Sequence, residues 1–183
     1  MKYDFNIDSS KKVRVILSTD AKNEADDQYA ITHALLTQKI IMKGLVASHF
    51  AYKQPEGSMQ ASYDEIIKVL DCMDMKGAVD VFRGAEGFLA DKQTPKGSDG
   101  SAFIIREALR TDDIPLFVVC IGALTDLASA YLQEPAIAKH MTAIWEWLYP
   151  LAKGQAARSH VDVTAGWRAT VQVQGNRLLE EVL

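Results

Sequence analysis

Two cysteines in 183 residues are too few for a disulfide framework, and they fall in unlike surroundings: Cys72 in a helix-like run, Cys120 in an apolar strand-like one. Cationic surplus is also missing. Twenty Lys and Arg against 24 Asp and Glu leave a formal charge of −4, and the cations are scattered rather than striped, which disfavours a nucleic-acid backbone as partner. No apolar run is long enough to span a bilayer, and Met1 to Lys12 is polar without an apolar signal core. A cytoplasmic protein with no membrane partner is the expectation. Internal repeats, low-complexity tracts and a second-domain linker are absent too, while 48% hydrophobic content supports a real core, so residues 1–183 read as one domain.

What the chain does have is alternation. Val13 to Leu17, Ile41 to Ser48, Val79 to Phe82, Leu116 to Ile121 and Met141 to Trp145 read as strands. Asp26 to Gln38, Ser58 to Met75, Ser101 to Arg110 and Leu124 to Tyr131 carry apolar residues at helical spacing. Strands and helices in strict alternation imply an α/β fold with a doubly wound, mainly parallel sheet of Rossmann-like type. Beyond Trp145 the pattern changes; Val171 to Gln174 alternates as a short strand would, and 146–183 is read as a divergent tail on a 12–145 core.

The densest chemistry lies where the first strand meets the first helix. Asp20 closes an apolar strand and Asp26 and Asp27 open the helix, so three carboxylates share one βα corner. Ligand sites of open α/β sheets form outside the carboxyl ends of strands. Residues three, four and seven apart share a helix face, so Asp27 aligns with Ala30, Ile31 and Ala34 on the buried side. Asp26 is turned away by about 100°. One acid can then bind a metal while its neighbour meets a substrate hydroxyl, and hard oxygen ligands favour Ca²⁺ or Mg²⁺ over zinc. Acids in a first helical turn also complement the helix dipole, which accounts for Asp26 and Asp27 but leaves Asp20 unexplained.

In this corner the sequence resembles the inosine/uridine-preferring nucleoside hydrolases. Asp20, Asp26 and Asp27 with Ala30-Ile31 look like the family's amino-terminal aspartate signature. Gly44 to His49, Val81 to Ala85, and Pro115 to Ala128 followed by Glu134-Pro135 are similar, in the same order, to its second strand, its short third strand end and its G-x-L-T-N-L-A … E-P segment. The resemblance spans roughly Lys12 to Trp145. It implies a nucleoside hydrolase-like fold, Ca²⁺ as cofactor, and hydrolysis of the N-glycosidic bond of a small-molecule ribonucleoside. By the same resemblance Asp20 is general base and metal neighbour, Asp27 ligates calcium, Asp26 binds ribose hydroxyls, and the carbonyl of Thr125 completes part of the calcium shell. Homo-oligomers are common in the family, so self-association is an expectation as well.

Departures from the family pattern keep other readings open. The loop between Asp20 and Asp26 carries two extra residues, with Asn23-Glu24 inside it; Ser18 stands where the family has Asp, and Asp126 where it has Asn. Family members are longer, and their far half supplies another calcium-binding aspartate and often a histidine near the leaving base; the chain is therefore expected to be a carboxyl-terminally incomplete member. A non-catalytic relic or cation- and sugar-binding module of the same fold is the alternative, with hydrolysis of another glycoside a third. His49, just after the second strand, is a substrate-binding candidate set against a packed loop histidine. His33 reads as surface, and His140 and His160 lack a metal-spaced partner. Gly97 to Ser101 lacks a P-loop lysine and reads as a helix N-cap at Ser98 or Asp99.

Overall fold

A computed structural model describes residues 7–145. Five strands, β1 (Val13–Thr19), β2 (Ile40–Ala47), β3 (Val81–Arg83), β4 (Leu116–Cys120) and β5 (Thr142–Trp145), form one sheet in the order β3-β2-β1-β4-β5. Every pairing is parallel. Helices α1 (Asp26–Leu36), α2 (Ser58–Cys72), α3 (Asp99–Ala108) and α4 (Thr125–Gln133) connect the strands. β1 is buried from Arg14 to its end because it pairs on both sides and is covered on both faces.

The two faces carry separate cores. Leu17, Ile31, Leu45, Ile66 and Leu70 pack α1 and α2 on one side, while Ile16, Phe103, Ile104, Val118 and Leu127 pack α3 and α4 on the other. The sheet is thus doubly wound, with the chain reversing its direction of travel between β1 and β4. Gly44 makes one close approach possible: a Cβ there would stand 2.8 Å from the Phe103 ring and 2.9 Å from Phe82, two rings that stack at 4.0 Å.

The expected elements are found with shifts at their ends. α3 begins two residues before the expected Ser101, because Ser98 caps it in a reciprocal box with Ser101. α2 stops at Cys72 rather than Met75, where Asp74 takes a left-handed φ of 55°. The expected strand at 171–174 lies outside the described residues.

At the amino end of the sheet, far from the strand tips, Arg14 is buried against Glu107 (3.4 Å) and Asp112 (3.6 Å), and its Nε donates to the Ile114 carbonyl at 2.8 Å. Lys43 and Arg110 complete this charge cluster around Glu107. It ties β1 to α3 and to the loop before β4. Among the described residues no helix is long and apolar enough to cross a membrane.

Candidate functional site

The carboxyl ends of β1, β2 and β4 bring Asp20, Ser48 and Gly122 together. Asp20 follows β1 directly and is buried. Gly122 lies against it so closely that a Cβ would stand 2.8 Å from Asp20 Oδ1 and 2.9 Å from its backbone nitrogen, and would collide with Ser48 Oγ. Only glycine fits between these groups. Ser48 itself is fully buried, and its hydroxyl has no hydrogen-bond partner.

Asp27, in the first turn of α1, points inward as the helix phase requires, and Thr19 Oγ1 donates to its Oδ1. Asp26, one residue earlier, is exposed. Burial raises the carboxyl pKa of both inward acids, since the charged form loses water. Asp20 is pushed up to about 6, opposed by its bond from Asn23 Nδ2 at 3.0 Å. For Asp27 burial, opposed by the Thr19 bond, gives about 7, with Asp20, Asp26 and Glu24 adding repulsion. Four acids therefore make one negative corner.

His49 is placed beside this corner but is not presented to it. Its ring is buried, Nδ1 accepts from the Ala51 backbone N–H at 3.2 Å, and the Phe88 ring meets it edge-on at 4.8 Å. With Nδ1 an acceptor, Nε2 carries the hydrogen and donates to Thr125 Oγ1 at 2.7 Å. Burial, and secondarily Lys96, lowers its pKa to about 4, so it stays neutral. His49, the substrate-binding candidate of the sequence, thus has both ring nitrogens engaged within the protein. Thr125 opens α4. The oxygen that Thr125 directs to His49 is its hydroxyl.

Asp126, the residue standing in for the family's Asn, is wholly buried. Its Oδ1 accepts from Ala85 N at 2.9 Å and from Ser98 Oγ at 2.6 Å, joining the end of β3 to the amino ends of α3 and α4. Its Oδ2 has no partner, and burial pushes its pKa up to about 6. The extra loop residues are also engaged. Asn23 Nδ2 reaches Tyr52 Oη at 2.6 Å as well as Asp20, and Glu24 pairs with Lys53 at 2.8 Å. Asn23 Oδ1 is left without a partner.

The chemistry of these donors suits a hard cation: two buried carboxylates and neutral oxygens at Asn23, Ser48 and Thr125. Among the described residues no three His, Cys, Asp or Glu side chains converge into a metal-binding cluster, so carboxylates alone make up only part of a shell. Sequence reasoning missed Ser48 and Gly122. Ser48 sits beside a histidine that drew attention, and the need for Gly122 arises from a contact between strands distant in sequence.

A family model described as "Cellulose-binding Sde182, nucleoside hydrolase-like domain" matches residues 14–146. The chain belongs to this family. Among solved structures, this nucleoside hydrolase-like domain is similar to an inosine-guanosine nucleoside hydrolase (TM-score 0.62, 19% identity, covering 88% of this chain and 59% of that one). It is also similar to a purine-preferring ribonucleoside hydrolase from Gardnerella vaginalis (TM-score 0.57, 16% identity, 72% and 48%). A third likeness is to an inosine-uridine preferring nucleoside hydrolase from Bacillus anthracis (TM-score 0.52, 15% identity, 88% and 63%). At these identities the likeness is one of fold. The Sde182-type domain thus spans about half to two thirds of the length of those chains. No curated protein matches it.

Proposed function

We propose that the acidic corner binds a glycosyl group beside a divalent cation and hydrolyses its N-glycosidic bond, with Ca²⁺ the expected ion and a ribonucleoside the expected substrate. The observation that carries this reading is the placement of two buried carboxylates, Asp20 and Asp27, behind an exposed third, Asp26. Asp20, Asp27 and the backbone carbonyl of Thr125 would hold the ion. When bound, it supplies positive charge that orients sugar hydroxyls and water. Asp26 accepts hydrogen bonds from those hydroxyls. Asp20 takes the proton of the water that attacks the anomeric carbon. The surrounding carboxylates favour the positive charge that develops on the sugar ring. His49, neutral and engaged at both nitrogens, holds Thr125 rather than protonating a leaving group.

A second reading, saccharide binding without turnover, is favoured by that engagement of His49 and by the cellulose-binding description of the family. Release of base from inosine, uridine and p-nitrophenyl riboside, measured with and without Ca²⁺, separates the two. Ca²⁺-dependent release lost in Asp20→Asn supports hydrolysis. Ca²⁺ binding without release supports the binding module, and neither would refute the cation site.

A further inference from the structure

Exposed rings are unevenly distributed over this domain. The large exposed apolar side chains among the described residues are Tyr29 (77%), Leu36 (52%), Tyr52 (53%), Phe88 (40%) and Leu109 (46%). Leu36 ends α1 and Leu109 caps the end of α3, so both lie toward the amino ends of the parallel strands. The three aromatics lie at the opposite end, around the acidic corner. Tyr29 stands three residues after Asp26 and shares its exposed helix face. Tyr52 Oη meets the same amide nitrogen of Asn23 that donates to Asp20. Phe88 packs edge-on against His49, and its loop adjoins the Tyr52 loop, where a Cβ on Gly87 would lie 3.8 Å from that of Ala51.

A second feature, below these rings, points independently to a ligand. Ser48 Oγ is fully buried, lacks a partner, and lies against Gly122, which also touches Asp20. Hydroxyls and carboxylates below, with aromatic faces above, are the chemistry that recognises a sugar. Carboxylates accept from the sugar hydroxyls, and rings cover its C–H faces. Three rings on three separate elements exceed what one flat base needs.

We propose that Tyr29, Tyr52 and Phe88 form an aromatic rim that seats the further sugar units of a saccharide whose terminal residue occupies the Asp20–Asp26 corner. This rests on the corner binding a glycosyl group. It extends that reading from a single ribosyl ring to an oligosaccharide. Asn23 couples the two parts, since one amide nitrogen touches both the rim tyrosine and the corner carboxylate.

The test is calorimetric titration of the full chain, in Ca²⁺, with a soluble β-linked glucose hexasaccharide and separately with inosine. Tyr29→Ala, Tyr52→Ala and Phe88→Ala change exposed positions, and circular dichroism checks that each folds. Loss of roughly three- to tenfold in hexasaccharide affinity per ring, with inosine affinity changed less, is the expected result. Tyr52→Phe keeps the ring and loses the Asn23 bond; it should retain most of the hexasaccharide affinity. Hexasaccharide binding that is untouched in all three alanine variants overturns the rim while leaving the corner reading intact. Inosine binding without hexasaccharide binding, or ring losses that appear with inosine alone, overturns it too. Asp27→Ala isolates the corner: loss of Ca²⁺ binding there, with ring effects preserved in Asp27-intact protein, supports both parts.

Discussion

Replacement of Asp126 by Asn should stabilise the domain at pH 8 and do little at pH 4. The side chain is wholly buried, and burial lifts its pKa from 3.8 to about 6. A group held above its unfolded value adds stability below the unfolded pKa and loses it as pH rises through the folded one. At pH 8 the carboxylate is charged in both states. The shift of about two units then corresponds to a penalty of about 3 kcal/mol, at about 1.4 kcal/mol per unit. Asparagine removes the charge and keeps an oxygen for Ala85 N and Ser98 Oγ, at a cost of about 1 kcal/mol from weaker, uncharged hydrogen bonds. Its amide nitrogen would replace Oδ2. That atom and the Ala47 carbonyl both crowd Gly84, and the carbonyl, which already accepts Gly84 N at 3.0 Å, has a second lone pair to offer. A net gain of about 1–2 kcal/mol raises Tm by roughly 2–8 °C for a chain of this size. Thermal unfolding followed by circular dichroism at pH 4 and pH 8 measures both. A gain of equal size at the two pH values, or destabilisation at pH 8, would refute the argument that the buried charge is the destabilising element.

Three further outcomes follow from the same geometry. Without divalent cation, stability should fall as pH rises from about 4 to about 7, because Asp20 and Asp27 hold protons in the folded state that the unfolded chain has released; saturating Ca²⁺ should abolish much of this slope, as pH-dependent urea titrations would show. Gly122→Ala should cost about 1–3 kcal/mol and weaken Ca²⁺ binding, read by denaturation and calorimetry, because its Cβ meets Asp20 and Ser48. Arg14→Leu should cost about 1–3 kcal/mol in urea denaturation with Ca²⁺ affinity unchanged, since it removes the buried partner of Glu107 at the far end of the sheet, leaving it Arg110 and Lys43, and strips the Ile114 carbonyl of its donor.

The fold was legible because each strand and helix carries its own period. Val13 to Leu17 is apolar at every position but Arg14, as suits a strand covered on both faces, and Ser58 to Cys72 repeats apolar residues at helical spacing. Ends were less legible. The start of α3 depends on a reciprocal Ser98–Ser101 bond, and the end of α2 on one left-handed residue. At the site, the inward turn of Asp27 and the outward turn of Asp26 follow from helix phase, which is local. The tautomer of His49 is set by Ala51 and Thr125, the latter 76 residues away in sequence, a contact that no local pattern announces. Asp126 carries the same lesson. Its partners, Ala85 and Ser98, come from two loops that no spacing rule brings together.

The central claim is that Asp20 and Asp27 share a cation in support of glycosyl binding. Calorimetric titration of Ca²⁺ into the wild-type chain and into Asp27→Asn, a replacement of nearly equal shape that keeps an oxygen for Thr19, tests it most directly. The account predicts binding to the wild type with release of protons near pH 7, and a loss of at least tenfold in the variant. Equal affinity in the two proteins, or no Ca²⁺ binding by the wild type, would contradict it.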